Sequence, residues 1–424
     1  MTMLKTGSTG PQVQLLQLAL KRAGFDPGST DGIFGSKTQS ALKNFQTKNG
    51  LRPDGIVGPR THQALMPWYL GYITHTVRQG DTLFGLALRY GTTLRSLETA
   101  NPSIDPLNLS IGSSLVIPLP FEVVPTDIDW GSTLIGYAVR GLAGRYPFLT
   151  VGEMGRSVMG RPLYYLVAGN GPRRVFFNAG MHANEWITVP MMFKYIEELS
   201  AAYAAGGEIC GVPAREILGR STIYFAPAVN PDGIDLVTGE LQSGSYYASA
   251  ASLAENYPNI PFPSGWKANI AGTDLNLQFP ANWEQARSIK FGQGYTSPGP
   301  RDYVGKAPLS ARESKSIYDF TRQLSPELIL AYHTQGKVIF WQYLDYEPEN
   351  SREIADLLAA ASGYRVESTP YESGFAGYKD WFISEFNRPG YTIEAGIGSN
   401  PLPLDQFDEI YADNRCLMTQ AALA

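Results

Sequence analysis

Short apolar segments alternate with helical patterns through residues 121–424. Five such segments predict strands, at residues 163–168, 174–179, 222–227, 328–332 and 390–394. Residues 187–202 carry apolar side chains at helical spacing and predict a helix. Strands with little polar alternation are buried on both faces, because helices cover the sheet. The pattern therefore predicts an α/β domain with a largely buried mixed sheet.

Residues 1–69 contain an internal repeat. The sequence Asp-Gly-Ile-Phe-Gly at 31–35 returns as Asp-Gly-Ile-Val-Gly at 54–58, an offset of 23 residues, and each copy is followed by a threonine, Thr38 or Thr61. An Asp-Gly turn that leads into a short apolar helix is typical of paired helical units. We expect a small helical domain here.

Residues 72–120 predict a strand, two helices and a second strand. A strand begins at His75, and the polar pair before Leu83 caps a helix that Gly91 ends. A second helix stops at Asn101, and residues 111–118 return as a strand. This order predicts a compact βααβ module.

Charge and composition argue against a nucleic-acid-binding protein and against a membrane-spanning one. The net charge of −5 does not favour a nucleic-acid-binding protein, and no apolar run approaches the ~18 residues that span a bilayer. The first residues lack the basic and apolar regions of a classical signal peptide. Cys210 and Cys416 form no Cys-x-x-Cys pattern, so we expect two free thiols, with one disulfide as the alternative.

Histidine is scarce, which sharpens the search for a metal site. The chain has four histidines, and after residue 121 only His182 and His333 remain, each directly behind a predicted strand. Glu185 follows His182 by three residues. Ligands in α/β sheets gather at the carboxyl ends of strands, and catalytic zinc takes three protein ligands plus water. His182, Glu185 and His333 supply such a set, although a His-x-x-Glu pair at a helix start is also compatible with a purely structural role.

Further motifs follow in a fixed order after that pair. They are Asn-Pro-Asp-Gly at 230–233, Asp-Leu-Asn at 274–276, Tyr-His-Thr at 332–334 and Thr-Ile-Glu-Ala at 392–395. Together with His182 and Glu185, they resemble the zinc carboxypeptidases of the carboxypeptidase A superfamily. The resemblance implies a mixed eight-stranded sheet flanked by helices, and one zinc ion per catalytic domain.

The front segments carry resemblances of their own. Residues 1–69 resemble a peptidoglycan-binding domain, and residues 72–120 resemble a LysM module, which binds N-acetylglucosamine-containing glycans. With residues 121–424 as the catalytic domain, the chain resembles the bacterial γ-D-glutamyl-L-diamino acid endopeptidases. Those enzymes cut peptidoglycan stem peptides between γ-D-glutamate and the diamino acid, which is diaminopimelate or lysine.

The resemblance also implies roles for single residues. Glu394 ends an apolar strand and matches the family's general acid/base, which takes a proton from the attacking water and passes it to the leaving amine. Tyr371 matches a mobile tyrosine that contacts substrate. Asn276 and, beside it, Gln278 are expected to bind the substrate.

Two departures from the family keep alternatives open. Leu277 stands where exopeptidases carry an arginine that grips the terminal carboxylate. Ala271 stands at or near the position of an arginine that stabilises the oxyanion, a loss for which Lys267 or another arginine would have to compensate. The alternatives are a weak or inactive wall-binding protein and a carboxypeptidase on free peptides. As partner we expect peptidoglycan, with no nucleic acid and no membrane span, and as location the cell wall, the spore or the cytoplasm; the sequence does not give the oligomeric state.

Overall fold

The computed structural model describes residues 3–424 and divides into two compact units. The first unit extends to Asp129 and includes Thr133–Thr150, and the second comprises Trp130–Ser132 and Val151–Ala424. None of the helices in the described range has the length and apolar character needed to cross a membrane.

Helices occur along the whole of residues 3–424. They are α1 (Pro11–Arg22), α2 (Ser36–Lys48), α3 (Pro59–Leu70), α4 (Leu83–Tyr90), α5 (Leu94–Ala100), α6 (Ser132–Arg145), α7 (Thr188–Ala205), α8 (Ala214–Arg220), α9 (Pro231–Thr238), α10 (Ser245–Ala254), α11 (Trp283–Gly292), α12 (Arg312–Leu324), α13 (Ser351–Ser362), α14 (Tyr378–Phe386) and α15 (Phe407–Leu423). Single 3-10 turns lie at Ala183–Glu185, Leu275–Leu277, Tyr371–Ser373 and Leu404–Gln406.

The strands complete the secondary structure. They are β1 (Tyr72–Thr76), β2 (Ser114–Pro118), β3 (Thr150–Arg156), β4 (Pro162–Ala168), β5 (Arg173–Asn178), β6 (Glu208–Ile209), β7 (Val212–Pro213), β8 (Ser221–Ala226), β9 (Leu328–His333), β10 (Val338–Phe340), β11 (Arg365–Glu367) and β12 (Gly390–Glu394). The five strands and the helix predicted in residues 121–424 are all present, with ends shifted by up to three residues.

A repeated hydrogen-bond network holds the first three helices together. Gln17 Nε2 on α1 donates to Asp31 Oδ1 (2.9 Å) and to Thr38 Oγ1 (3.2 Å), and its Oε1 accepts from the Gly32 N–H (2.9 Å). The second copy uses the same residue types, Gln46, Asp54, Thr61 and Gly55. Because both glutamines are buried, these bonds satisfy groups that would otherwise be costly to bury. The Asp-Gly repeat is therefore built into the framework of the helical domain.

The βααβ module forms as predicted. Strand β1 pairs antiparallel with β2, from Tyr72 opposite Pro118 to Thr76 opposite Ser114. Thr82 and Thr93 cap helices α4 and α5 by accepting backbone N–H groups. Leucine and isoleucine side chains from the strands and both helices bury a small core between them.

The second unit is built on an eight-stranded sheet with the order β11-β10-β12-β9-β5-β8-β4-β3. Strands β12, β9, β5 and β8 are parallel to one another, whereas β10 is antiparallel to β12 and β4 is antiparallel to β8. Strand β9 is buried along its whole length. The mixed sheet flanked by helices confirms the predicted fold class.

The register of the central strands determines which residues meet at the sheet edge. Glu394 at the end of β12 lies opposite His333 at the end of β9. On the other side of β9, the last residue of β5, Asn178, lies opposite Ala331. Because these strands are parallel, the segment that follows β5 emerges at the same edge as His333 and Glu394.

A disulfide joins Cys210, between β6 and β7, to Cys416 on α15, with the two Cα atoms 5.7 Å apart. The prediction of two free thiols was therefore wrong. The two cysteines are separated by 206 residues, and the spacing alone carries no sign that the fold brings them together.

Candidate active site

Three potential metal ligands converge at the carboxyl ends of β5 and β9. Glu185 lies in the 3-10 turn that follows His182, and its Oε1 is 3.0 Å from His182 Nδ1, while its Oε2 is 2.8 Å from His333 Nδ1. The two histidine Nδ1 atoms are 2.9 Å apart. If one ligand atom is taken from each of the three residues, these three atoms lie within 4.8 Å of one another. All three residues are buried. The sequence-predicted ligand set is thus assembled in space.

The chemistry of this donor set fits zinc. The Nε2 atom of His182 lies 3.1 Å from Asp274 Oδ1. A carboxylate there holds the proton on Nε2, which leaves Nδ1 as a lone-pair donor toward the cluster. Two imidazole nitrogens and one carboxylate are the ligands of a catalytic zinc site that keeps a position open for water.

Electrostatics favour a charged carboxylate within the cluster. Burial raises the pKa of Glu185, but His182 and His333 outweigh burial and hold that pKa well below its usual range. Burial also lowers the pKa of His333, and nearby His182 lowers it further, although Glu185 opposes the shift. Burial also lowers the pKa of His182, but Glu185 and Asp274 outweigh burial and raise that pKa above its ordinary value. His333 is thus the imidazole favoured in the neutral form, which is the form that binds a metal ion beside an ionised glutamate.

Glu394 lines the same cleft as the three ligands. Burial raises the pKa of its carboxyl to about 8, with a further contribution from Glu185, while Lys267 and His182 oppose the shift. A carboxyl group whose pKa lies near neutral pH is suited to accept and return a proton.

Lys267 brings a positive charge into the cleft. Its backbone carbonyl accepts a hydrogen bond from Ala183 N (3.0 Å), between two of the ligands, and its Nζ lies 3.8 Å from Asp274 Oδ2. Burial lowers the pKa of Lys267, but Asp274, Asp302 and Glu185 together raise it above its ordinary value. The lysine therefore stays protonated beside the cluster.

Ala271 has a different place from the one expected. It lies exposed in a turn closed by the Asn269 N–H to Thr273 carbonyl bond (2.9 Å) and is not among the described residues that line the cleft. Position 271 is therefore not part of the cleft lining in this structure. The cation that this stretch supplies to the cleft is Lys267, four positions earlier.

The predicted substrate-binding residues fall into three environments. Asn276 lines the cleft, and its Oδ1 accepts the Tyr378 N–H (2.9 Å), which leaves its amide N–H₂ as a donor for a ligand. Tyr371 is 66% exposed, and its hydroxyl accepts from Gln285 Nε2 (3.2 Å), so in this structure it lies outside the cleft lining.

Gln278 is fully buried and does not line the cleft. Its Nε2 donates to the Val304 carbonyl, and its Oε1 accepts from Ser310 (3.1 Å) and from Ala311 N (2.7 Å). These bonds use its side chain to join loops, which corrects the substrate-binding role expected from its nearness to Asn276 in sequence.

Sequence reasoning did not assign Asp274 or Asn184 to the site. Asp274 stood in the recognised Asp-Leu-Asn motif, and that motif was the available signal. Asn184 lies between two metal ligands, lines the cleft and is 5% exposed, and its Oδ1 has no hydrogen-bond partner within residues 3–424. No pattern of polarity along the chain distinguishes it from a helix-start asparagine.

Comparison with known families agrees with this site. The sequence profile for zinc carboxypeptidase matches residues 137–415. The chain belongs to the zinc carboxypeptidase family and is a zinc metallopeptidase. Residues 9–65 match a peptidoglycan binding domain and residues 75–118 match a LysM domain, so the front of the chain carries two wall-binding domains.

Individual relatives support the same assignment. The γ-D-glutamyl-L-diamino acid endopeptidase 1 of Lysinibacillus sphaericus is 37% identical over 295 residues, which cover 70% of this chain and 72% of that protein. The protein YqgT of Bacillus subtilis (strain 168) is 38% identical over 276 residues, or 64% of this chain and 72% of that protein. The solved structure of thrombin activatable fibrinolysis inhibitor shares the fold with a TM-score of 0.56 at 16% identity, covering 83% of this chain and 98% of that one.

Proposed function

We propose that the protein hydrolyses peptidoglycan stem peptides at the bond between γ-D-glutamate and the diamino acid. The observation that carries the proposal is the meeting of His182, Glu185 and His333 with Glu394 in one cleft. The Lysinibacillus relative, whose name states this activity, and the two wall-binding domains supply the substrate class.

His182, Glu185 and His333 would hold the zinc ion. When bound, zinc supplies Lewis acidity, which polarises a carbonyl group and acidifies water. Glu394 is the general base that takes the proton of the attacking water and then, as an acid, returns it to the leaving amine. Asp274 keeps the His182 ring in the required tautomer and orientation.

Lys267 is the candidate for stabilising the oxyanion. Negative charge develops on the carbonyl oxygen as water adds, and a fixed cation in a water-poor cleft lowers the energy of that state. Lys267 is charged and only 20% exposed, and its backbone is tied to the ligand segment. In this proposal, Lys267 takes the role of the arginine that the family resemblance implies at or near position 271.

Leu277 separates this function from trimming of ordinary peptides. Leu277 packs in the hydrophobic core and also lines the cleft, so at this position the cleft offers an apolar side chain instead of a guanidinium for a terminal carboxylate. A carboxypeptidase acting on free α-linked peptides would need that group elsewhere.

The proposal places the enzyme at the cell wall or at the spore wall. Residues 1–69 and 72–120 are the proposed binding domains, and residues 121–424 are the proposed catalytic domain.

The test is mass spectrometry of L-Ala-γ-D-Glu-diaminopimelate, with and without terminal D-Ala, incubated with the zinc-loaded wild type and with Glu394→Gln. We expect a cut between D-Glu and the diamino acid that disappears in the variant while bound zinc remains. Glu349→Gln, at an exposed position outside the cleft lining, is the matched control and should keep full activity. A wild type that binds zinc and wall but releases no product would identify an inactive wall-binding protein instead.

A further inference from the structure

Within residues 3–424, four cationic side chains line the cleft, and three of them are mostly buried. Lys267 lies near Asp274, Lys290 Nζ is 2.9 Å from Asp302 Oδ1, and Lys379 is 4% exposed. The fourth is Arg301, whose side chain is 42% exposed. Its exposure makes Arg301 the cation best able to receive a ligand.

Arg301 leaves most of its hydrogen-bonding capacity open to the cleft. Its Nε donates to Asp302 Oδ2 (2.5 Å), and within residues 3–424 its two terminal nitrogens have no hydrogen-bond partner. Asp302 is already shared with Lys290, so one carboxylate faces two cations. The pair of terminal N–H groups of a guanidinium matches the two oxygens of a carboxylate.

The backbone around Arg301 is fixed to the catalytic segments. The Pro300 carbonyl accepts hydrogen bonds from the N–H groups of Lys267 (2.8 Å) and Ala268 (2.9 Å), and the Tyr303 carbonyl accepts from Asp274 N (2.9 Å). The Asp302 N–H also donates to Asp274 Oδ2 (3.3 Å). Arg301 is thus anchored on both sides by the residues that orient His182 and supply Lys267, which is the rigidity a specificity contact needs.

We propose that Arg301 binds a free carboxylate that ordinary peptides lack, either the D-Glu α-carboxylate or the side-chain carboxylate of diaminopimelate. This inference rests on the proposed function. A γ-linked D-glutamyl residue keeps its α-carboxylate free on the acyl side of the scissile bond, and diaminopimelate carries a second carboxylate on its side chain. An ordinary α-linked peptide has no carboxylate in the first of these positions, so Arg301 would select for the γ-linkage or for diaminopimelate.

The experiment measures kcat and KM for wild type and Arg301→Gln on three peptides. They are L-Ala-γ-D-Glu-diaminopimelate, the same peptide with the D-Glu α-carboxylate amidated, and L-Ala-γ-D-Glu-Lys. Arg301→Gln should lower kcat/KM about 10- to 100-fold on the first peptide, the range for a charge-assisted contact. Arg312→Gln, an exposed arginine outside the cleft lining, is the matched control and should match the wild type.

The other two peptides identify the carboxylate. If Arg301 binds the D-Glu α-carboxylate, the amidated peptide loses the difference between wild type and variant; if it binds the side-chain carboxylate of diaminopimelate, the lysine peptide does. An equal loss on all three peptides, or none on the first, would overturn the inference while the proposed function stands. Failure of the wild type to cut any of them would overturn the proposed function and this inference together.

Discussion

At the residue scale, Asp274 is expected to control zinc affinity without touching the metal. Its Oδ1 lies 3.1 Å from His182 Nε2. A carboxylate in that position favours the proton on Nε2, and loss of such a partner weakens metal binding about 10- to 100-fold. Asp274→Asn should therefore release zinc at lower chelator concentration than the wild type. Asp319→Asn, which removes an exposed carboxylate paired with Lys315, is the control, and equal zinc retention in all three proteins would contradict the expectation.

Lys267 gives a second prediction at this scale. Removing one oxyanion donor costs about 10²–10³ in kcat, so Lys267→Met should lose that much with a small change in KM. Lys267→Arg keeps the charge and should recover part of the rate. Zinc content is measured alongside, because a loss of metal would explain the rate differently. Full activity in Lys267→Met would remove the residue from the catalytic role.

The same residues show how far sequence reasoning reaches. His182, His333 and Glu394 could be found because each ends or follows an apolar strand, and parallel strands bring such positions to one edge. Gln278 was misplaced because nearness to Asn276 in sequence does not fix the direction of the side chain that follows a 3-10 turn. Asp274 reaches His182 across 92 positions, and no local periodicity records that contact.

At the scale of the element, the disulfide ties α15 to the segment between β6 and β7. A cross-link that closes a long loop stabilises by restricting the unfolded chain, typically by about 2–5 kcal/mol. The double variant Cys210→Ser/Cys416→Ser should lose this amount of free energy of unfolding, and it should therefore unfold at a lower denaturant concentration than the wild type. Wild type treated with reductant should shift in the same way, and an unchanged midpoint for both would contradict the prediction.

Helix α9 carries a buried carboxylate that should make stability depend on pH. Burial raises the pKa of Asp235 from 3.8 to about 8, with a contribution from Glu240, while Arg161 opposes the shift. Because the folded state holds this proton more tightly than the unfolded chain, its contribution to the free energy of unfolding falls as pH rises from about 4 to about 8.

Urea unfolding of wild type and Asp235→Asn at several pH values isolates this contribution. The stability of the wild type relative to the variant should decrease from pH 5 to pH 8. Glu240→Gln removes one cause of the raised pKa of Asp235, so the stability of this variant should depend less on pH than the stability of the wild type. A constant difference between wild type and Asp235→Asn across that range would show that Asp235 does not titrate there.

The positions of strands and helices were easier to predict than the pairing of strands and cysteines. Strand and helix positions follow from local apolar periodicity, which is why β12 was predicted with the bounds that the structure shows. The number of strands in the sheet came from the family resemblance, and their order was not predicted, since periodicity does not say which strands pair. The cysteine pairing had neither source and was predicted wrongly.

At the scale of the whole molecule, the two wall-binding domains should raise the effective concentration of substrate without changing the rate of the chemical step. A bound module keeps the catalytic domain near further stems on the same polymer. Soluble N-acetylglucosamine oligomers should therefore slow hydrolysis of intact wall by the full chain, while cleavage of a small muropeptide stays unchanged. The two rates are compared by product mass spectrometry, and equal inhibition of both would place the oligomers in the cleft instead.

The register that sets Glu394 opposite His333 has a consequence for biosynthesis. Glu394, the proposed general base, follows His333, the last of the three proposed zinc ligands, by 61 positions in the chain. A growing chain therefore presents all three proposed ligands before it holds the group proposed to activate water. If the proposed roles are correct, a chain cut off before residue 394 is inactive, because hydrolysis requires β12 beside β9.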